Sequence, residues 1–122
     1  MPKYNLIEDI GDCEIQKLEF GFEKLTISIF DREKSINYKI NLSSVTYVVF
    51  ESNHLQNVIE TIHMFENFEE ALKFNSFLLF SSRFDISNQI IEEDRFLEII
   101  YICPITGGEI VAFFSGLEVS ID

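Results

Sequence analysis

Apolar and polar residues alternate along the first half of the chain with a period of two, which is the period of a β-strand with one buried face. The clearest run has four apolar residues separated by polar ones: Ile36, Tyr38, Ile40 and Leu42. The pattern predicts four strands joined by short turns, over residues 14–22, 25–30, 36–42 and 45–51. Both faces of the fourth segment are apolar, which predicts a central or doubly covered strand. Four sequential strands with short turns predict an antiparallel meander.

The middle of the chain carries a further apolar segment and then helical patterns. Residues 57–65 are rich in β-branched side chains, which favours a strand over a helix. Asn67 is a suitable N-cap for a helix over residues 67–75, and the apolar pattern allows that helix to continue through residues 77–80. A short helical piece is expected around residues 87–92.

The end of the chain predicts a hairpin and a short last strand. The hairpin strands cover residues 96–103 and 109–115, with a Pro- and Gly-containing turn over 104–108, and the last strand covers 117–121. The predicted fold is α+β: a twisted antiparallel sheet, made of the four-strand N-terminal meander, the C-terminal hairpin and the short last strand, covered by one main helix. A curled half-barrel has the same sequence pattern, so both forms of the sheet stay open.

The composition indicates one globular domain over residues 1–122. Hydrophobic residues make up 47% of the chain, thirteen of them are Phe, and no linker or repeat divides the sequence. Cys13 and Cys103 are too few for a disulfide framework, which favours a reducing cytoplasm. The N-terminal apolar residues are interrupted by acids, so no secretory signal is expected. No apolar run approaches the roughly 20 residues of a membrane helix.

Charge limits the kinds of partner that the protein can bind. The formal net charge is −12, and the second half of the chain carries eleven acidic residues against three basic ones. Nucleic acid and anionic membranes would be repelled, because no basic face interrupts the acidic pattern. A basic protein partner fits this charge, since opposite fields speed encounter. An acidic surface that serves only solubility has the same composition, and self-association is left open.

Candidate catalytic and metal-binding groups are few. Cys13 lies between acidic neighbours, which disfavour a reactive thiolate. Cys103 is expected to be a small core residue. A metal site built on Glu60 and His63 would need both side chains on one face, whereas positions three apart on a strand point to opposite faces. His54 is nine residues from His63. The sequence therefore predicts a protein that is not an enzyme and that uses no cofactor and no metal.

The acidic clusters of the second half are the predicted partner-binding residues. Their carboxylates are expected to attract a basic partner: Glu66, Glu69, Glu70, Glu92, Glu93 and Asp94. Nearby aromatic side chains, Phe68 and Phe96, are the expected apolar anchors of that surface.

The chain resembles the small acidic immunity proteins that accompany bacterial toxins. The resemblance rests on size, on acidity and on two stretches, EIQKLEFGFEKLTISIFDREKSINYKINLSSVTYVVFES and FLEIIYICPITGGEIVAFFSGLEVSI. It carries no individual functional residue across. Such proteins bind a cognate toxin in the cytoplasm and block its active site or a surface near it, so the resemblance implies a toxin as the basic partner. The alternatives are a β-rich carrier of a small apolar ligand and a self-associating structural module.

Overall fold

A computed structural model describes residues 12–51, 57–106 and 108–121 of the protein. Eight strands form one antiparallel sheet in the order β4-β7-β6-β5-β1-β2-β3-β8. The strands are β1 (Glu14–Gly21), β2 (Lys24–Asp31), β3 (Ile36–Ser43), β4 (Tyr47–Phe50), β5 (Asn57–Phe65), β6 (Glu98–Thr106), β7 (Ile110–Phe114) and β8 (Gly116–Ile121). Between β5 and β6 lie α1 (Phe68–Leu72), α2 (Asn75–Phe84), α3 (Ile86–Gln89) and a 3₁₀ helix (Glu92–Phe96). The predicted loop over residues 52–56, with His54, and the turn residue Gly107 lie outside the described residues.

The first three predicted strands are confirmed as neighbours, and the fourth is not part of their meander. β1 pairs with β2 and β2 with β3, each antiparallel. β4 pairs instead with β7, with Tyr47 opposite Phe113, and β8 occupies the free side of β3. The chain leaves β3 at Ser44, where φ is 51°, and the Val45 amide then donates to the Glu23 carbonyl at 2.9 Å. This contact directs β4 past the tip of the first hairpin, so the meander has three strands.

The sheet is strongly curled, because its topology cannot be laid flat. β3 and β4 are six places apart in the strand order, yet β3 ends at Ser43 and β4 begins at Tyr47. Four Cα–Cα steps reach at most about 15 Å, whereas strands six places apart in a flat sheet would be about 29 Å apart. β7 and β8 are joined across the same gap through Ser115 alone. β3 and β4 therefore form one long bent strand, and β7 and β8 form another. The sheet curls so that its two ends come together.

The curl creates a first hydrophobic core inside the sheet, and the helices create a second one outside it. The inner core draws on six strands and includes Ile27, Ile40, Ile59, Ile100, Ala112 and Phe114. The outer core lies between the helices and β6–β7 and includes Phe68, Phe77, Phe80, Tyr101, Val111 and Phe113. Residues of β6 and β7 alternate between the two cores, so this hairpin is covered on both faces. β4 lies at one end of the strand order and is not central, but it is doubly covered as the sequence predicted: Val48 packs against the inner core, and Tyr47 and Val49 pack against the outer one.

Several short helices replace the single main helix of the prediction. The strand over residues 57–65 and the Asn67 cap are both confirmed: Asn67 Oδ1 accepts the Glu70 amide at 2.9 Å. Helix α1 ends because Phe74 takes an extended backbone, with φ −91° and ψ 116°, and places its ring 4.4 Å from the His63 ring. Helix α2 then turns Phe77, Phe80 and Ser81 inward. Within the described chain, every helix is too short or too polar to cross a membrane.

We expect Gly108→Ala to destabilise the fold by about 1–3 kcal/mol, because any side chain there collides with the end of β4. A Cβ at Gly108 would lie 2.6 Å from the Glu51 carbonyl carbon and closer still to its oxygen. Gly21 is the matched control, since its added Cβ would meet only Lys24 Cβ at 3.6 Å. Urea denaturation measures both variants. Equal losses in the two would contradict the close approach of β4 to the β6–β7 turn.

Candidate functional site

The two predicted acidic clusters come together in the fold, although more than twenty residues separate them in the sequence. Helix α1 packs against the 3₁₀ helix, and Arg95 ties the two together. The Arg95 guanidinium lies 5.2 Å from the centre of the Phe68 ring, and its Nη2 donates to the Ser87 carbonyl at 3.0 Å. Arg95 is thus held by internal contacts, which leaves the carboxylates to set the charge of the outer surface.

Five of the six predicted carboxylates are exposed on this surface: Glu66, Glu69, Glu70, Glu92 and Glu93. Lys73 pairs with Glu70 at 3.0 Å, and Arg95 approaches Glu92 at 3.8 Å. No ion pair among the described residues holds the other three.

Asp94, the sixth predicted carboxylate, has a structural position. It is only 5% exposed, and its Oδ2 accepts the Ile91 amide at 3.3 Å. The carboxylate closes the first turn of the 3₁₀ helix, where the backbone amides lack helical partners. Asp94 therefore supports the surface from beneath and does not present its charge on it.

The apolar anchors differ in part from the prediction. Phe68 is fully buried in the outer core, so it is not available to a partner. Phe96 is 76% exposed and Ile91 is 62% exposed, and the two flank the acids of the 3₁₀ helix. We call the exposed set Glu66, Glu69, Glu70, Glu92, Glu93, Ile91 and Phe96 the acidic surface.

A second feature, which the sequence pattern did not reveal, is a surface groove of about 590 Å³ between α2 and the outer face of β5–β6. Its walls combine charged, polar and aromatic side chains: Glu51, Glu60, Thr61, His63, Phe74, Ser76, Arg83, Cys103, Pro104 and Glu109. It forms where the helical cover of the sheet ends. We call this feature the groove.

An ion-pair network fixes one wall of the groove. Arg83 Nη2 lies 3.2 Å from both Glu51 Oε2 and Glu109 Oε1. The Glu109 amide donates to Glu51 Oε1 at 3.1 Å, and the buried Tyr101 hydroxyl donates to Glu109 Oε2. Burial, followed by this hydrogen bond, raises the pKa of Tyr101 far above its ordinary value. The hydroxyl is therefore a permanent donor that holds the Glu109 carboxylate in place.

On the opposite wall of the groove, the prediction that Glu60 and His63 point to opposite faces of the strand is wrong. Ile59 is opposite Pro104 and Thr61 is opposite Cys103, so Glu60 is an extra residue in β5. This β-bulge turns Glu60 and Thr61 to the same side, which brings Glu60 and His63 to one face of the strand. Both line the groove. His63 Nε2 makes a 3.1 Å contact with Thr61 Oγ1.

The titratable groups of this region are poorly placed for nucleophilic catalysis. Burial lowers the pKa of His63 and raises the pKa of the Cys103 thiol, so both are neutral near pH 7. Burial, and then the Asp31 carboxylate, raise the pKa of Cys13 to about 11. The direction agrees with the sequence prediction, but burial and not the adjacent acids is the main cause. Across the described residues, no three His, Cys, Asp or Glu side chains are arranged to hold a metal ion.

We expect Tyr101→Phe to lower the unfolding free energy by about 1–3 kcal/mol, because Glu109 loses a buried hydrogen-bond donor while the ring packing is kept. Tyr47→Phe is the matched control: Tyr47 also packs against the outer core, but its hydroxyl makes no hydrogen bond within the described chain. Its change should stay within about 0.5 kcal/mol. Denaturation curves of both variants test this. Similar losses would show that the Tyr101 hydroxyl does not hold Glu109.

Comparison with protein-family models, with curated proteins and with solved structures gives no match of significance in any of the three. The chemistry of the acidic surface and the groove is therefore the basis for a function, since a fold by itself does not define one.

Proposed function

We propose that the protein is a non-enzymatic binding protein that recognises and neutralises a basic partner protein, as the immunity protein of a bacterial toxin does. The observation that carries the proposal is the convergence of two acidic clusters around exposed apolar side chains. Glu69 and Glu70 lie on α1, Glu66 lies just before it, and Glu92 and Glu93 lie on the 3₁₀ helix that packs against α1.

The acidic surface has the two components of a high-affinity protein interface. Its carboxylates supply a field that would steer a basic partner into contact. Phe96 and Ile91 supply apolar area, which contributes most to affinity when it is enclosed by the partner. Nine acidic residues against three basic ones between Glu60 and Glu98 keep the local charge strongly negative. A basic protein with an apolar recess is therefore the complementary partner.

The surface is also rigidly supported, which limits the entropy that binding would cost. The Asn67 side chain caps α1, Asp94 closes the 3₁₀ helix, and Arg95 bridges both to α3 through the Ser87 carbonyl. The carboxylates of Glu69 and Glu93 project from short helices whose backbones are fixed at both ends. Recognition with little rearrangement of the backbone is consistent with this construction.

The resemblance to immunity proteins in size, acidity and strand pattern supports the proposal in addition to this surface. It implies a cytoplasmic protein whose partner is a toxin domain that carries basic residues. The alternative of a carrier for a small apolar ligand gains little from the structure, because aliphatic and aromatic side chains fill both cores. The described clefts open at the surface and are lined largely by polar groups.

We expect the double variant Glu69→Lys/Glu93→Lys to lose the partner, because reversal of two central charges turns attraction into repulsion. The control Glu33→Lys/Glu118→Lys changes the net charge by the same amount at exposed positions on the β2–β3 turn and on β8. Tagged wild-type, variant and control proteins are incubated with lysate of the native cell at low and moderate salt, and the captured proteins are identified by mass spectrometry. One stoichiometric basic protein, retained by wild type and control and lost by the variant, is the expected result.

Neutralisation is then tested with the captured protein. Its expression alone should arrest bacterial growth, and co-expression with wild type or control, but not with the variant, should restore it. Capture that survives in the variant would remove the acidic surface from the proposal. If expression of the captured protein alone does not arrest growth, the partner is not a toxin and the immunity role is wrong.

We expect Phe96→Ala to weaken binding of the captured partner by more than about tenfold, mainly through faster dissociation, because an enclosed aromatic anchor is lost. Phe22→Ala is the control, since Phe22 is 88% exposed at the tip of the β1–β2 hairpin and is not one of the residues of the acidic surface. Surface plasmon resonance separates the two rates. Equal effects of the two substitutions would mean that Phe96 is not an anchor.

A further inference from the structure

The groove presents fixed negative charge beside an aromatic wall, and the proposed partner binding does not use it. Glu51, Glu60 and Glu109 line it together with one cationic side chain, Arg83. His63 adds no positive charge near pH 7, because burial lowers its pKa, and the Cys103 thiol stays neutral, because burial raises its pKa.

The groove already holds a guanidinium group of the protein itself. Arg83 lies between Glu51 and Glu109, at 3.2 Å from each carboxylate. Its guanidinium carbon is 5.4 Å from the Phe80 ring centre and 5.1 Å from the Phe84 ring centre. Carboxylates on one side and aromatic rings on the other are the surroundings that a guanidinium prefers in proteins. Arg83 thereby shows that this part of the molecule accommodates an organic cation.

Room for a second cation remains on the other side of the groove. Glu60 is turned into the groove by the β5 bulge, and no ion pair with any described residue neutralises it. The rings of Phe74 and His63, 4.4 Å apart, form the adjacent wall, and Pro104 adds apolar surface. An aliphatic stem can lie along these apolar groups while its charged end reaches Glu60.

We propose that the groove binds an organic cation, a primary ammonium or guanidinium group on an unbranched aliphatic stem, with Glu60 as its main carboxylate and Phe74 and His63 as its wall. Thr61 and Ser76 add hydroxyl oxygens that accept hydrogen bonds from such a group. The cation has two sources, a free small amine or a lysine or arginine side chain of a protein. The inference does not depend on the acidic surface, because it concerns a different set of residues.

The test is an NMR titration of the ¹⁵N-labelled full chain with butylguanidinium, a guanidinium of single charge on an unbranched aliphatic stem. Shifts should concentrate at the amides of Thr61, Cys103 and Glu109 and at the Arg83 side chain. Butylurea, which is neutral and of similar shape, should produce none of them. The blocked amino acids Nα-acetyl-lysine methylamide and Nα-acetyl-arginine methylamide carry the same single charge and identify the source: binding as tight as that of butylguanidinium indicates a protein side chain, and binding of butylguanidinium alone indicates a free small cation.

Two substitutions with opposite expected effects keep the inference falsifiable. Glu60→Gln should weaken butylguanidinium binding by about two- to fivefold, the range expected for one partly exposed ion pair. Arg83→Met should strengthen it by a similar factor, because Glu51 and Glu109 lose their internal cation. Glu33→Gln, on an exposed turn of the sheet, is the control for general charge effects, and circular dichroism checks that each variant is folded. Shifts spread over the acidic surface, or equal weakening by Glu60→Gln and Glu33→Gln, would overturn the inference.

Discussion

Burial of the β6–β7 hairpin on both faces is the constraint on which the rest of this structure depends. Ile100 and Ala112 point into the inner core, while Tyr101 and Phe113 point into the outer one. A strand pair that is apolar on both faces must be covered on both sides, because exposure of either face to water would forfeit its hydrophobic stabilisation. The curled sheet covers one face with its own strands, and the segment between β5 and β6 covers the other with helices.

The helical cover in turn determines where charge can lie. Its inward side chains are mostly aromatic, and Phe68, Phe77 and Phe80 are packed against β6–β7. In this layer of short helices, Asn67 accepts an amide at the start of α1 and Asp94 accepts one at the start of the 3₁₀ helix, whereas α2 and α3 begin without a side-chain cap. The remaining acids lie on the outer side of the helical layer, where water can solvate them or a basic partner can pair with them. The acidic surface is thus a direct consequence of how the second core is built.

The groove arises at the limit of that cover. Helix α2 lies over β6–β7 but leaves the end of β6 and the bulged part of β5 open, so polar side chains from both strands meet there. The Arg83 network joins the helix to β4 and to the start of β7 at this place. It therefore ties the edge of the helical layer to the sheet and gives the groove a fixed, charged wall. The acidic surface lies on α1 and the 3₁₀ helix, whereas the groove lies beside α2, so the two are separate features of one helical layer.

The sequence alone determined what depends on neighbouring residues. Period-two alternation located β1, β2 and β3, β-branched residues located β5, and the cap at Asn67 located the start of α1, because each of these signals acts within a few residues. It also identified the acids that lie on the outer surface, except Asp94, whose burial depends on a hydrogen bond that its two acidic neighbours do not make. Only the tertiary structure decided that β4 pairs with β7 and that Glu51, Arg83 and Glu109 form one network. These contacts join residues far apart in the chain, and no local period or spacing encodes them, because they follow from how two cores close around one hairpin.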